Sequence, residues 1–199
     1  MIAAASTHPG EEAAAIEAHR RLKDRFPDLL TVLAPRHPER GQGISDVTRL
    51  AALTYALRSR NELPSQATDI YIADTLGEMG LVYRIAPIVF MGGSLVRHGG
   101  QNPIEAIKLG AAILHGPHIW NFASIYATLG AATGAKMVTD TASLAEGIGA
   151  WLADIDARQQ VAQTGLKAMG TLAGALERTM VALDPYLMQF RLEQREDHA

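Results

Sequence analysis

The sequence predicts an α/β fold: a Rossmann-like parallel sheet flanked by helices, in a single domain over 1–199. Three observations predict it. Short apolar runs of strand length alternate with longer helical stretches, the pattern of a parallel sheet with crossover helices. Polar and glycine-rich segments sit just behind the predicted strands, where an open α/β sheet keeps its ligand crevice. The 199 residues are 48% hydrophobic and 20% charged with net charge −3, enough for one well-packed core.

Ile2–Ala5 reads as the first strand and Glu11–Phe26 as a helix that Pro27 ends. Leu29–Ala34 is a strongly apolar second strand stopped by Pro35. Arg40–Ala51 reads as a helix, Thr54–Leu57 as a short strand, and Asn61–Thr68 as a polar turn region around Pro64. Asp69–Ala73 is the next strand, Gly77–Ile85 a helix, and Ile88–Phe90 the strand that feeds a glycine loop. Pro103–Leu109 is the helix after it, followed by strand Ala112–Leu114, helix Phe122–Ala131 and strand Lys136–Val138. From Thr141 to about Glu196 the composition is helical, weakened by Gly165, Gly170 and Gly174 and divided at Asp184-Pro185.

Composition also bounds function. The slight acidity argues against general nucleic-acid binding, which needs a basic face. The absence of cysteine removes disulfides and thiolate metal sites. His37, His98, His115 and His118 show no HxxxH or HExxH spacing, so no metal is expected. Gly-x-Ser-x-Gly and Gly-x-Gly-x-x-Gly are both absent, against a serine hydrolase and a dinucleotide site. The start, Met1–Ala5, lacks a signal peptide's basic region, and no apolar run approaches the roughly 18 residues that span a bilayer. The segment is expected to be soluble and cytosol-compatible.

The segment from Phe90 to Glu105 is the most informative. Gly92-Gly93-Ser94 and Gly99-Gly100 break a buried strand, and Asn102-Pro103-x-Glu105 opens a helix. Strand, glycine loop and helix start suit an anion, because bare N–H groups and the helix dipole attract phosphate. The Ser94 hydroxyl can add a hydrogen bond and Glu105 can accept from sugar hydroxyls. Equally, Asn102 and Glu105 can form a capping box with no ligand.

Arg36 and His37 follow the second strand between Pro35 and Pro38, a rigid setting for a bidentate grip on phosphate or carboxylate. The alternative for Arg36 is an ion pair with Glu39. Ser6, Thr7 and His8 precede the first helix, where one hydroxyl would serve as an N-cap and another could reach a ligand. Asp74 and Thr75, with Gly77 and Glu78, either contact a ligand or cap a helix starting near Leu76. Pro117, His118 and Asn121 form another strand-end loop, with Trp120 and Phe122 either bordering the site or in the core. Arg97 and His98 are either ligand contacts or a solvated loop tip.

Five segments in order carry a resemblance: Ala5–Glu12, Leu33–Arg40, Asp74–Gly80, Phe90–Glu105 and Leu114–Phe122. Together they resemble the C-terminal, donor-binding half of the bacterial Kdo (3-deoxy-D-manno-octulosonic acid) transferases of lipopolysaccharide synthesis, over nearly the whole chain. The resemblance implies the C-terminal half of a two-domain GT-B glycosyltransferase, binding CMP-Kdo as substrate and CMP as product, with no cofactor. It implies loop N–H groups from Gly92, Gly93 and Ser94 on the phosphate, Asn102 and Glu105 at the ribose, and Arg36, His37 and Ser6 or Thr7 on the donor. Relatives often carry His where this chain has Gln101, which puts any acid–base role there in doubt.

It further implies that the lipid A precursor site, the membrane anchor and the catalytic carboxylate lie in an N-terminal domain, on the cytoplasmic face of the inner membrane. No catalytic residue is then expected in this half. The chain would be an expressed fragment or one half of a split protein, inactive in transfer by itself. Its last helix, around Pro185–Phe190, would cross to the N-terminal domain and be exposed or self-associate. Two other readings remain open: the donor half of a UDP-sugar GT-B enzyme, or a non-catalytic interaction domain whose motifs serve only as caps.

Overall fold

The computed structural model describes residues 1–172, 180 and 182–186. Its strands are β1 (Ile2–Thr7), β2 (Thr31–Pro35), β3 (Tyr55–Leu57), β4 (Ile70–Ile72), β5 (Ile88–Met91), β6 (Ala112–His115) and β7 (Ala135–Met137). All pair in parallel in one seven-stranded sheet of order β3-β4-β2-β1-β5-β6-β7. The helices are α1 (Glu11–Lys23), α2 (Gly41–Leu50), α3 (Met79–Ile85), α4 (Ile104–Lys108), α5 (Ala123–Ala131), α6 (Thr141–Ala153) and α7 (Ile155–Leu172).

Period-two alternation along the strands divides the core between the two faces of the sheet. Ala4, Leu33, Ile72, Phe90 and Leu114 pack with Ile16 of α1, Ile44 of α2 and Leu144 and Ile148 of α6. Ala3, Val32, Val89, Met91 and Ile113 pack with Val82 of α3, Ile107 of α4, Leu129 of α5 and Met169 of α7. The central strand β1 carries only alanine at Ala3, Ala4 and Ala5, each at most 1% exposed, so large side chains from both neighbouring strands and helices close over it.

The sequence predicts one helical run after Thr141, and the structure breaks it at Asp154. There the backbone turns extended, and the Asp154 carboxylate accepts the Ala157 amide at 2.9 Å, capping α7. Gly165 lies inside α7 without breaking it. A side chain on Gly134 would collide with the Gly165 backbone, so this glycine lets α7 approach the turn before β7. Residues 182–186 are helical through Asp184-Pro185, where the sequence predicts a division. Met180, Leu183 and Tyr186 are exposed there, and Leu187–Phe190 of the predicted crossing helix lie outside the described residues. Among the described residues no helix is long and apolar enough to cross a membrane.

Sheet order places the site. The chain leaves β1 toward β2 and later returns past it to β5, so the connections diverge at the β1–β5 pair. An open α/β sheet leaves its ligand crevice at the carboxyl ends of such a pair. Here those ends are Thr7 and Met91.

Candidate functional site

The β1 end and the glycine loop are built against each other. Ser6 has φ 52, a left-handed conformation rare for serine, and the β1–β2 register shifts between Ala5 and Thr7. A Cβ on Gly92 would overlap the Ser6 carbonyl oxygen, so glycine is required there. Burial and the neighbouring Glu105 carboxylate push the Tyr83 hydroxyl up to about 12, opposed by a hydrogen bond with Ser6. Thr7 is fully buried and donates to Glu12 Oε1 at 3.1 Å, while Glu12 also meets Arg40 Nη1 at 3.0 Å. The Thr7 hydroxyl therefore points into the protein, not toward a ligand, and Gly10 stands at the N-cap of α1. Burial holds the Glu12 carboxyl above its usual range.

The glycine-loop N–H groups, expected to meet a phosphate, have a partner from within the chain. Glu11, 1% exposed, accepts the amides of Gly93 at 2.7 Å, Ser94 at 3.0 Å and Leu95 at 2.9 Å. It also accepts the His8 amide at 2.9 Å. The Gly92 amide goes to Ala5 in the sheet. Ser94 is fully buried: its hydroxyl donates to the Met91 carbonyl at 2.5 Å and accepts the Gly116 amide at 2.7 Å. Where the sequence suggests a phosphate on Gly92, Gly93 and Ser94, these groups thus have hydrogen-bond partners within the chain. Glu11 gave no local signal of this, because its partners in the glycine loop lie more than 80 positions away.

Above the loop lies a cationic rim. The Arg36 side chain is exposed and has no hydrogen-bond or ion-pair partner among the described residues, while His37, not Arg36, faces Glu39 at 3.7 Å. His8, absent from the expected contacts, is central: its ring stacks on His98 at 4.0 Å and meets His37 edge-on at 6.2 Å. Its Nε2 lies 3.2 Å from Gln101 Nε2. Burial and then the His98 charge lower the His8 pKa, with Glu11 opposing.

Arg97 is exposed at the loop tip. Asn121 pins that tip by donating to the His98 carbonyl at 3.0 Å. Gly100 closes the loop by donating to the Gly93 carbonyl at 2.8 Å. Pro117 is exposed and His118 half-buried beside Trp120, which is 54% exposed and so not core.

Asp74 is a strut. Its carboxylate accepts the Ser59 amide at 2.8 Å and the Ser59 hydroxyl at 2.6 Å, and it fills space that a side chain on Gly41 would need. Thr75 donates to Glu78, which pairs with Arg58 at 2.9 Å, and both interactions lower the Glu78 pKa. α3 begins only at Met79, so neither Asp74 nor Thr75 caps it.

Asn102 and Glu105 separate. Asn102 Oδ1 accepts the Ile104 amide at 3.0 Å, and Glu105 does not complete a capping box. The Glu105 carboxylate is exposed, with no hydrogen-bond or ion-pair partner among the described residues. It lines a cleft of about 720 Å³ between α3 and α4, with Gly80, Arg84, Asn102 and Lys108. Among the described residues no group of three His, Asp or Glu is arranged to hold a metal.

Unpaired arginine side chains thus follow β2 and β5, and an unpaired carboxylate stands at the start of α4, groups that suit a sugar nucleotide. Comparison with known proteins gives this geometry a family. No family model matches the chain. It is 38% identical over 92% of its length to a 3-deoxy-D-manno-octulosonic acid transferase of Haemophilus influenzae, and 36% over 94% to that of Bordetella pertussis. It spans less than half of these relatives, 43% and 45%.

Among solved structures it is similar to the C-terminal CMP-Kdo binding domain of WaaA from Acinetobacter baumannii, with TM-score 0.81 and 28% identity over 84% of this chain and 88% of that one. The spinosyn rhamnosyltransferase SpnG shares the fold at TM-score 0.54 and 18% identity, over 89% of this chain and 44% of that one. In sequence along nearly its whole length and in fold, the chain belongs with the C-terminal half of the 3-deoxy-D-manno-octulosonic acid transferase family.

Proposed function

We propose that this chain is the donor-binding half of a glycosyltransferase that moves Kdo from CMP-Kdo to a lipid A precursor in lipopolysaccharide synthesis. The observation that carries the reading is a pair of unpartnered side chains beyond the carboxyl ends of the strands: the Arg36 guanidinium after β2 and the Glu105 carboxylate on α4, which follows β5. Arginine suits the phosphate or sugar carboxylate, and a free carboxylate suits two vicinal ribose hydroxyls. Because Glu11 occupies the loop N–H groups, phosphate recognition passes to side chains: Arg36 first, then Arg97 and His98.

In the whole enzyme a carboxylate of the N-terminal domain would deprotonate an acceptor hydroxyl, which attacks the anomeric carbon with inversion while CMP leaves. This half would stabilise charge on the departing phosphate by fixed cations in the crevice. The reading needs CMP-Kdo as substrate and no resident cofactor. It puts the whole enzyme at the cytoplasmic face of the inner membrane, with the helical residues 182–186 leading toward the partner domain. The exposed apolar side chains of Met180, Leu183 and Tyr186 support that course. The chain alone is expected to transfer no Kdo, and turnover by this chain with CMP-Kdo and lipid A precursor would refute that.

Isothermal titration with CMP, against UDP and AMP, tests donor binding. Selective CMP binding is expected. Preference for UDP would move the enzyme to another sugar donor, and no binding to folded protein would favour motifs that act only as caps or a site completed by the other domain.

A further inference from the structure

Glu11 lies in the first turn of α1 with its carboxylate turned under the glycine loop. Oε1 receives Ser94 and Leu95, Oε2 receives Gly93 and His8, so four N–H groups, three of them consecutive, converge on one buried anion. Successive N–H groups arranged this way form an anion nest, and such nests ordinarily hold a phosphate or other external anion. No lysine or arginine pairs with Glu11 among the described residues, so amide dipoles and the start of α1 carry the compensation.

We infer that residues 93–95 and the His8 amide form an anion-binding nest permanently filled by Glu11, which makes Glu11 the positioning residue for both walls of the crevice. One carboxylate ties the β1 loop to the β5 loop, and the His8 ring stacked on His98 at 4.0 Å rides on that tie. The consequence for CMP rests on the donor-binding reading; the nest itself does not.

Glu11→Ala vacates both the charge and the space. Its melting temperature should fall and recover with sodium formate, beyond the effect of equal sodium chloride and beyond formate on the wild type. Glu11→Gln keeps the space filled and sets an NH2 group against N–H donors, so formate should not rescue it. CMP affinity of Glu11→Ala should fall about tenfold or more, as buried donors left unpaired imply, and return with formate.

Should Glu11→Ala not fold, hydrogen exchange on the wild type decides. The amides of Gly93, Ser94 and Leu95 should exchange slowly without ligand and equally slowly with CMP. Formate acting no better than chloride on a folded Glu11→Ala, or fast exchange of those amides in the wild type, would overturn the nest. Formate rescue in a protein that never binds CMP would instead retain the nest and remove CMP binding by this chain alone.

Discussion

The Ser94 hydroxyl accepts the Gly116 amide at 2.7 Å, while the Ser94 carbonyl oxygen lies where a Cβ on Gly116 would have to go. The His118 amide adds a bond to that same carbonyl at 2.9 Å. Ser94 thus fastens the end of β5 to the end of β6, and its chemistry is spent inside the protein. Ser94→Ala should cost about 1–3 kcal/mol, the penalty for an orphaned buried amide. Gly116→Ala should cost at least as much, since backbone on both sides must shift. Urea unfolding measures both. A Ser94→Ala protein of unchanged stability that had lost CMP binding would return this hydroxyl to the ligand.

Arg36 and Glu105 should behave in the opposite way. Both side chains are exposed and make no hydrogen bond or ion pair among the described residues, so folding does not use them. Arg36→Ala and Glu105→Ala should each change stability by no more than about 0.5 kcal/mol. Each should weaken CMP binding by about tenfold, or about 1.4 kcal/mol. Titration calorimetry beside thermal unfolding separates the two effects. Wild-type affinity in both variants would remove the donor assignment from this edge of the sheet.

Asp74 tests a third kind of residue, one read from sequence as a ligand contact or helix cap and found bracing two loops. It is 7% exposed, and both Ser59 donors depend on it. Asp74→Ala should therefore destabilise by about 1–3 kcal/mol. Any loss of CMP affinity should follow from, and scale with, loss of folded protein. A folded, stable Asp74→Ala with impaired CMP binding would reverse that assignment.

The contrast between these residues marks how far the sequence was legible. Strands announce themselves as apolar runs, and each predicted strand is present with its ends shifted by at most two residues. The glycine break after β5 was legible too, and Gly92 is demanded there by close approach of the Ser6 backbone. What fills the loop was not. Glycine and serine at 92–94 advertise free N–H groups whether the anion is a bound phosphate or Glu11, and only the tertiary pairing of α1 with the β5 loop decides. The same holds for Thr7 and Asp74, whose partners Glu12 and Ser59 are set by packing. The break at Asp154 did carry a local signal, an aspartate three residues before the Ala157 amide it caps, masked by helix-forming residues on both sides.

At the opposite edge of the sheet, acid should unfold the protein through a buried histidine. His19 is fully buried, with Nδ1 2.8 Å from Thr31 Oγ1 and Nε2 3.6 Å from Asp69 Oδ1. Burial lowers its pKa, the Asp69 charge opposes, and Lys23 adds to the lowering. Burial also lowers His8 and His115.

A histidine lowered in the folded state takes up its proton first in the unfolded chain, so unfolding binds protons once pH drops below the ordinary value near 6.5. Stability should therefore be full above about pH 6.5 and decline as pH falls toward the folded pKa values. The raised Glu12 carboxyl acts in the other sense at lower pH, which makes the upper part of this window the cleanest place to look. Unfolding free energy measured stepwise from pH 7.5 to 5.5 should fall, and His19→Gln should flatten that slope while leaving the contributions of His8 and His115. A wild-type slope of zero, or one unchanged by His19→Gln, would show that His19 is not the acid-labile group.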